Sequence, residues 1–105
     1  MKVKALEKKV KSGVRWLNKV KPNWYKKIDL ETLDLSDNHV CVCGQVFGDY
    51  WKVILECDDG EAKEGRKYTM TERQAIARGY NLDSAIDFDL LTRVWYLEVM
   101  KLQGN

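Results

Sequence analysis

Hydrophobic residues in the first twenty positions recur at steps of three or four, the spacing of one face of an α-helix. This stripe consists of Val3, Leu6, Val10, Val14, Leu17 and Val20. Lysines occupy most of the other positions, as expected for a face in contact with water. Pro22 cannot continue the helical hydrogen-bond ladder and disfavours helix at the residue before it. The pattern therefore predicts an amphipathic helix that ends near Val20.

The middle of the chain has a less regular pattern. Residues 24–35 mix aromatic, aliphatic and acidic side chains at uneven spacing, which predicts short helical turns around a core. The apolar run 40–55 that follows fits a helix, in which Gly44 and Gly48 would allow close packing but would each cost about 1 kcal/mol relative to alanine. It also fits two strands broken at Gly48. Helix is the favoured interpretation, and a small β-hairpin within 40–70 is the alternative.

The last third of the chain predicts an exposed loop and two further helices. Residues 57–67 are polar and contain two glycines, as is typical of a loop. Thr69 and Glu72 have the spacing of a capping box, and the short helix they would begin should end at Gly79. Asp87, Asp89 and Lys101 have the signs of charge expected at the two ends of a final helix. Its predicted face, which we expect to be mostly buried, consists of Leu90, Leu91, Val94, Trp95, Leu97 and Val99.

These elements together predict a mainly α fold, with residues 1–105 as a single-domain helical bundle between long terminal helices. The 105 residues, 45% of them hydrophobic, are enough for one core. No apolar run approaches the roughly 18 residues needed to cross a bilayer, and lysines interrupt the N-terminus where a signal peptide would be apolar. The three cysteines, an odd number, do not suggest a disulfide framework. We expect a cytoplasmic protein without membrane contact.

Charge is strongly segregated along the chain. Residues 1–27 carry ten basic residues and one acid (+9), residues 28–65 carry two basic residues and ten acids (−8), and residues 66–105 carry six and five (+1). A basic segment followed by an acidic one can indicate attraction to a polyanion, or two segments that fold against each other. The second interpretation is favoured.

The only group of residues with the chemistry of a metal site is His39, Cys41, Cys43 and Cys57, whose side chains can all bind zinc. Their spacing contains no C-x-x-C pair, and buried cysteines often act as small hydrophobic residues. Packing is therefore the favoured role, and zinc binding stays the alternative.

No catalytic arrangement stands out elsewhere in the sequence. A Cys41–His39 pair is weak because side chains two residues apart diverge in a strand or a helix, and the acids are interspersed as on a solvated surface. No glycine-rich phosphate loop is present. We therefore expect neither an enzyme nor a cofactor.

A polyanion could bind the first helix through a set of basic residues: Lys4, Lys8, Lys11, Arg15 and Lys19. Trp16, Trp24 and Tyr25 could then stack on unpaired bases. The more ordinary interpretation is a solvated lysine face with the aromatic residues in the core.

Five segments resemble a family of small proteins encoded by phages and prophages of Gram-positive bacteria, whose function is uncharacterised. They are GVRWLN (13–18), PNWYKKIDLETLDL (22–35), CVCGQVFGDYW (41–51), QAIARGYN (74–81) and DLLTRVW (89–95). The resemblance implies a small accessory protein in the cytoplasm of an infected or lysogenic host cell, with no family active site to transfer. We expect it to bind a host or phage protein, such as a host defence or regulatory component. Nucleic-acid binding is the alternative, and oligomeric state stays open.

Overall fold

The computed structural model describes residues 2–55, 70–82 and 87–104. This part of the protein is mainly helical, and long helices lie near both ends of the chain, which confirms the predicted fold class. In chain order the elements are α1 (Lys2–Val20), a 3-10 helix (Trp24–Lys27), α2 (Val42–Phe47), a second 3-10 helix (Tyr50–Lys52), β1 (Ile54–Leu55), β2 (Met70–Thr71), α3 (Glu72–Ala77) and α4 (Phe88–Gln103). The predicted loop at 57–67 lies outside the described residues.

The first helix ends at Val20, as its hydrophobic pattern and Pro22 predict. Asn23 then takes a left-handed backbone conformation, with φ of 68°, and starts the first 3-10 helix. Trp24 turns into the core, where its indole N–H donates a hydrogen bond of 2.9 Å to the side chain of Asn18. Short turns follow up to residue 37, which confirms the prediction for 24–35.

The central segment differs from both interpretations of 40–55. Its helix covers only Val42–Phe47, because Gly48 has φ of +99° and ends it, so the long helix favoured above is wrong. The hairpin is not formed by the described strands either, since β1 and β2 pair in parallel, with Ile54 opposite Met70. Gly44 does allow close packing, since it has no side chain where the backbone of His39 comes near. A Cβ at position 44 would lie only 2.5 Å from that backbone.

The short helix α3 begins two residues after the predicted position. Its N-cap is Thr71, whose hydroxyl accepts from the backbone N–H of Gln74, while the Gln74 side chain accepts from the Thr71 N–H. The capping box is therefore formed by this pair and not by Thr69, which lies outside the described residues. Gly79, with φ of +78°, follows the end of the helix as predicted.

One hydrophobic core connects these elements, and α1 packs against both α3 and α4. Aromatic rings form its centre: Trp95 stacks on Tyr80 at 5.6 Å and meets Trp24 edge-on at 5.9 Å. The stacked rings of Trp95 and Tyr80 each donate a hydrogen bond to a backbone oxygen. The Tyr80 hydroxyl donates to Gly13, and the Trp95 indole N–H donates to Gly79 at 2.6 Å. Because one side of α1 and one side of α4 pack into this core, the opposite side of each helix faces solvent.

Candidate binding surface

The predicted polyanion-binding residues lie on one exposed face of α1. We refer to Lys4, Lys8, Lys11, Arg15 and Lys19 as the basic stripe, and all five are exposed. At about 100° per residue they fall within an arc of about 80° and extend for roughly 22 Å. The buried side of the helix, centred on Leu17 and Val10, lies on the opposite side of the axis. Tertiary packing thus leaves the whole stripe open to water.

No ion pair in the described part of the chain joins the basic stripe to a carboxylate. The ion pairs there are His39 with Asp49 and Lys101 with Glu98, both at 3.9 Å. The basic and acidic segments nevertheless pack against each other, as the favoured interpretation has it, since Trp16 contacts Phe47 and α2 contacts the first 3-10 helix. Exposed cations this close together repel one another, and added salt screens that repulsion.

The aromatic residues near the stripe are not available to stack on bases. Trp24 is buried in the core, and Tyr25 is partly buried and packs edge-on against it at 5.9 Å. Trp16 is half-buried, contacts Phe47 and Tyr80, and lies under the guanidinium of Arg78 at 5.1 Å. The predicted combination of a basic helix with stacking aromatic side chains is therefore not formed, because these rings stabilise the fold.

The outer face of α4 is the feature that the sequence interpretation missed. Leu97 was assigned to the buried face, yet 51% of it is exposed, together with 47% of Met100 and 40% of Tyr96. Leu91 and Trp95, on the other side of the helix, are fully buried. A helical projection shows that the hydrophobic positions of α4 extend too far around the axis for one contact face, but it does not show which of them are exposed. The helix is buried on one side only.

Leu97 also lies at the edge of a groove between α1 and α4. The groove has a volume of about 440 Å³. Val3, whose side chain is 43% exposed although it belongs to the predicted buried stripe, lies on the α1 side. We call this feature the apolar groove, after its hydrophobic lining: Val3, Val10, Leu90, Val94 and Leu97.

Charged side chains on both helices border the apolar groove. Glu7 and Lys11 lie on α1, and Arg93, Glu98 and Lys101 lie on α4. Lys11 belongs to both the groove and the basic stripe, so the apolar and basic surfaces are continuous. Glu98 is paired with Lys101, and Glu7 lies four residues before Lys11, a favourable spacing for opposite charges on a helix. The border carries three positive and two negative charges, a balance of +1.

The candidate zinc ligands do not form a site among the described residues. Cys41 and Cys43 are buried, His39 is exposed and directed at Asp49, and Cys57 lies outside the described residues. No group of three potential metal ligands occurs in residues 2–55, 70–82 and 87–104. Cys41 instead caps α2, where its sulfur accepts from the Gly44 N–H at 3.3 Å.

Both buried thiols are protonated at neutral pH. Burial raises the pKa of Cys41 to about 11, even though the N–H of Gly44 acts in the opposite direction. Burial raises the pKa of Cys43 further above its ordinary range. Because the thiolate is the reactive form, neither residue is set up as a nucleophile.

Comparison with known protein families, curated proteins and solved structures finds no match to this chain. Among the helices in the described ranges, no segment has both the length and the hydropathy of a membrane span. The apolar groove and the basic stripe are the two candidate binding surfaces of the described residues.

Proposed function

We propose that this protein acts by binding another protein through the apolar groove and the adjoining outer face of α4. The observation that supports this proposal is the exposure of Leu97, Met100 and Tyr96 side by side on one helix, next to Val3 across the groove. Apolar side chains that cluster beside a concave surface are typical of protein interaction sites, whereas single ones are ordinary. Removal of this cluster from water would supply the driving force for association.

The biological setting is part of the same proposal. The five segments that resemble small phage and prophage proteins support an accessory role in an infected or lysogenic Gram-positive host. The partner would then be a host or phage protein, such as a defence or regulatory component. We propose that the binding is non-enzymatic, which is in keeping with two protonated thiols and a surface built from hydrophobic and charged residues.

The test is site-specific photo-crosslinking from the proposed surface. A photoreactive amino acid replaces Leu97, and the protein is expressed in a lysogenic Gram-positive host and irradiated. We expect a discrete crosslinked product that disappears when Met100→Glu is added, because a charge in a desolvated contact is unfavourable. The matched control has the photoreactive residue at Ala77, which is exposed on α3 away from the groove.

Two results would contradict this function. One is the same products from positions 97 and 77, which would indicate random encounters. The other is the absence of any product at 97 in cells where the protein is folded and abundant.

Nucleic-acid binding is the second candidate function, and it is supported by the basic stripe. Five exposed cations over roughly 22 Å, without carboxylate partners among the described residues, could contact several phosphates. Trp16 and Trp24 are held in the fold, which favours contacts to the backbone of the nucleic acid over base stacking beside the stripe.

Mobility-shift titration with generic duplex DNA and RNA tests this candidate. We expect affinity to fall steeply with salt and to be lost in Lys8→Glu, Lys11→Glu, since counterion release scales with the number of phosphates contacted. Lys26→Glu with Lys27→Glu, which makes the same charge change beyond α1, is the matched control. No retardation at micromolar protein in low salt would eliminate nucleic acid as the partner.

A further inference from the structure

We infer that the segment bound in the apolar groove is an amphipathic helix with acidic flanks, supplied by the partner protein. This inference rests on the proposed protein-binding function and specifies the chemistry of the partner. The inference follows from three properties of the groove: it presents no free backbone donors or acceptors, its lining is apolar, and basic residues lie beside it.

The secondary structure of the partner follows from hydrogen bonding. The walls of the groove are two α-helices, whose backbone N–H and C=O groups bond within each helix. The groove therefore presents side chains and no strand edge, so an extended peptide laid in it would leave its own backbone groups unpaired. A helix satisfies those groups internally. It can also place residues at i, i+3 or i+4, and i+7 along a lining of valine and leucine.

The charge of the partner follows from the basic residues beside the groove. Lys11 borders the groove, and Lys4 and Lys8 continue the basic stripe away from it along α1. Arg93 adds a cation from α4. Glu7 and Glu98 also border the groove, but Glu98 is paired with Lys101 and the excess charge of the border is positive. Carboxylates on the flanks of a bound helix would meet this excess of positive charge, whereas lysines would be repelled by it.

A second copy of this chain fits the surface less well. In a two-fold symmetric dimer the same patch meets itself, so two surfaces that each carry an excess of positive charge would be brought together. Like charges brought together in this way disfavour the pairing. An acidic partner removes the repulsion that a second copy would increase.

Fluorescence anisotropy with designed peptides tests the inference directly. The probe is a labelled peptide of about 18 residues, roughly 27 Å long as a helix, with leucine along one face and glutamate on both flanks. One comparison peptide has the same composition in an order that breaks the face, and another replaces each glutamate with lysine. We expect the glutamate-flanked peptide to bind with micromolar affinity and neither comparison peptide to do so. This affinity should decrease as salt is added.

Variants of the protein locate the peptide. Leu97→Glu should weaken binding tenfold or more, and Lys11→Glu with Arg93→Glu should weaken it several-fold while improving binding of the lysine peptide. Ala77→Glu should have no effect. The four substituted positions in these three variants are all exposed, and a thermal melt of each variant verifies that it is folded.

The possible outcomes separate this inference from the proposed function. Equal binding of the scrambled peptide, equal binding of the lysine peptide, or displacement of the probe by DNA as effectively as by unlabelled peptide would overturn the inference. Concentration-dependent dimerisation lost in Leu97→Glu would replace the acidic helix with a second copy. If position 97 crosslinks a protein in cells while the acidic peptide fails to bind, the proposed function stands and this inference falls.

Discussion

Gly13 lies where α1 packs closely against the turn at 78–80. A Cβ at this position would overlap the backbone oxygen of Arg78 and lie 3.1 Å from the rings of Trp95 and Tyr80. Glycine is unfavourable in a helix by about 1 kcal/mol relative to alanine, so its presence in the middle of α1 requires a reason. The reason is the turn at 78–80, which packs directly on the helix backbone.

We predict that Gly13→Ala lowers the free energy of unfolding by about 1–3 kcal/mol, the usual range for overpacking. Backbone has to move to admit the methyl group, and this outweighs the gain in helix propensity. Chemical denaturation followed by circular dichroism measures the free energy of unfolding of Gly13→Ala and of the unsubstituted protein. Ser12→Ala is the neighbouring control, expected to be near neutral, and a stabilised Gly13→Ala protein would contradict the close contact.

Cys41 shows how burial can outweigh a helix N-terminus at a single residue. A thiol at an N-cap is usually made more acidic, yet the desolvation of this thiol raises its pKa to about 11. The raised pKa means that the protonated form is favoured and that the thiolate becomes abundant only in strongly alkaline solution.

We predict that Cys41 reacts slowly with a thiol-specific reagent at pH 8 in a protein carrying Cys43→Ala and Cys57→Ser. An increase of about two pKa units lowers the thiolate fraction, and hence the labelling rate, about 100-fold relative to an ordinary cysteine. Labelling in denaturant provides the reference rate. Equally fast labelling of the native protein would show that this thiol is accessible.

At the scale of elements, α4 has two apolar faces with different roles. Leu91, Trp95 and Val99 are buried against the core, whereas Leu97 and Met100 are exposed. One helix therefore stabilises the fold on one side and leaves an apolar surface toward solvent on the other.

We predict that Leu91→Ala lowers the free energy of unfolding by about 2–5 kcal/mol, because it leaves a cavity in the core. Leu97→Glu should change it by no more than about 0.5 kcal/mol, as is usual for an exposed position. Urea denaturation of both variants makes the comparison. A loss for Leu97→Glu as large as that for Leu91→Ala would show that the outer face of α4 is packed in solution.

At the scale of the whole molecule, the distribution of charge is the dominant property. A net charge of +2 conceals a basic stripe that the acids of the described residues do not neutralise by ion pairs. A protein that keeps like charges together on one face gives up some stability, and such an arrangement is typical of a surface that meets an anionic partner.

We therefore predict that Lys8→Glu stabilises the isolated protein at low ionic strength. The new carboxylate would lie one turn from both Lys4 and Lys11, so repulsion is replaced by attraction. The expected gain is about 1–3 °C in Tm, and it should shrink as salt is added. Lys26→Glu, outside the stripe, is the control, and a destabilised Lys8→Glu protein would indicate that Lys8 already has an anionic partner.

Local pattern determined both terminal helices of this protein. The hydrophobic spacing of α1, the stop at Pro22, and the acids and Lys101 near the ends of α4 are signals that lie within one or two turns of backbone, so these helices can be predicted before any tertiary contact is known. The same holds for Gly79, whose left-handed conformation is a local property of a helix end. The exposed basic stripe could also be predicted, since its residues lie opposite the hydrophobic ones.

Tertiary structure alone decided how the middle of the chain folds and which apolar residues remain outside. Gly48 could continue a helix or end one, and the choice depends on packing that brings Tyr50 and Val53 into the core. Leu97 and Leu91 are chemically identical, so only the position of α1 against α4 determines which of them is buried. The apolar groove belongs to two helices distant in sequence, and no pattern within either helix predicts it.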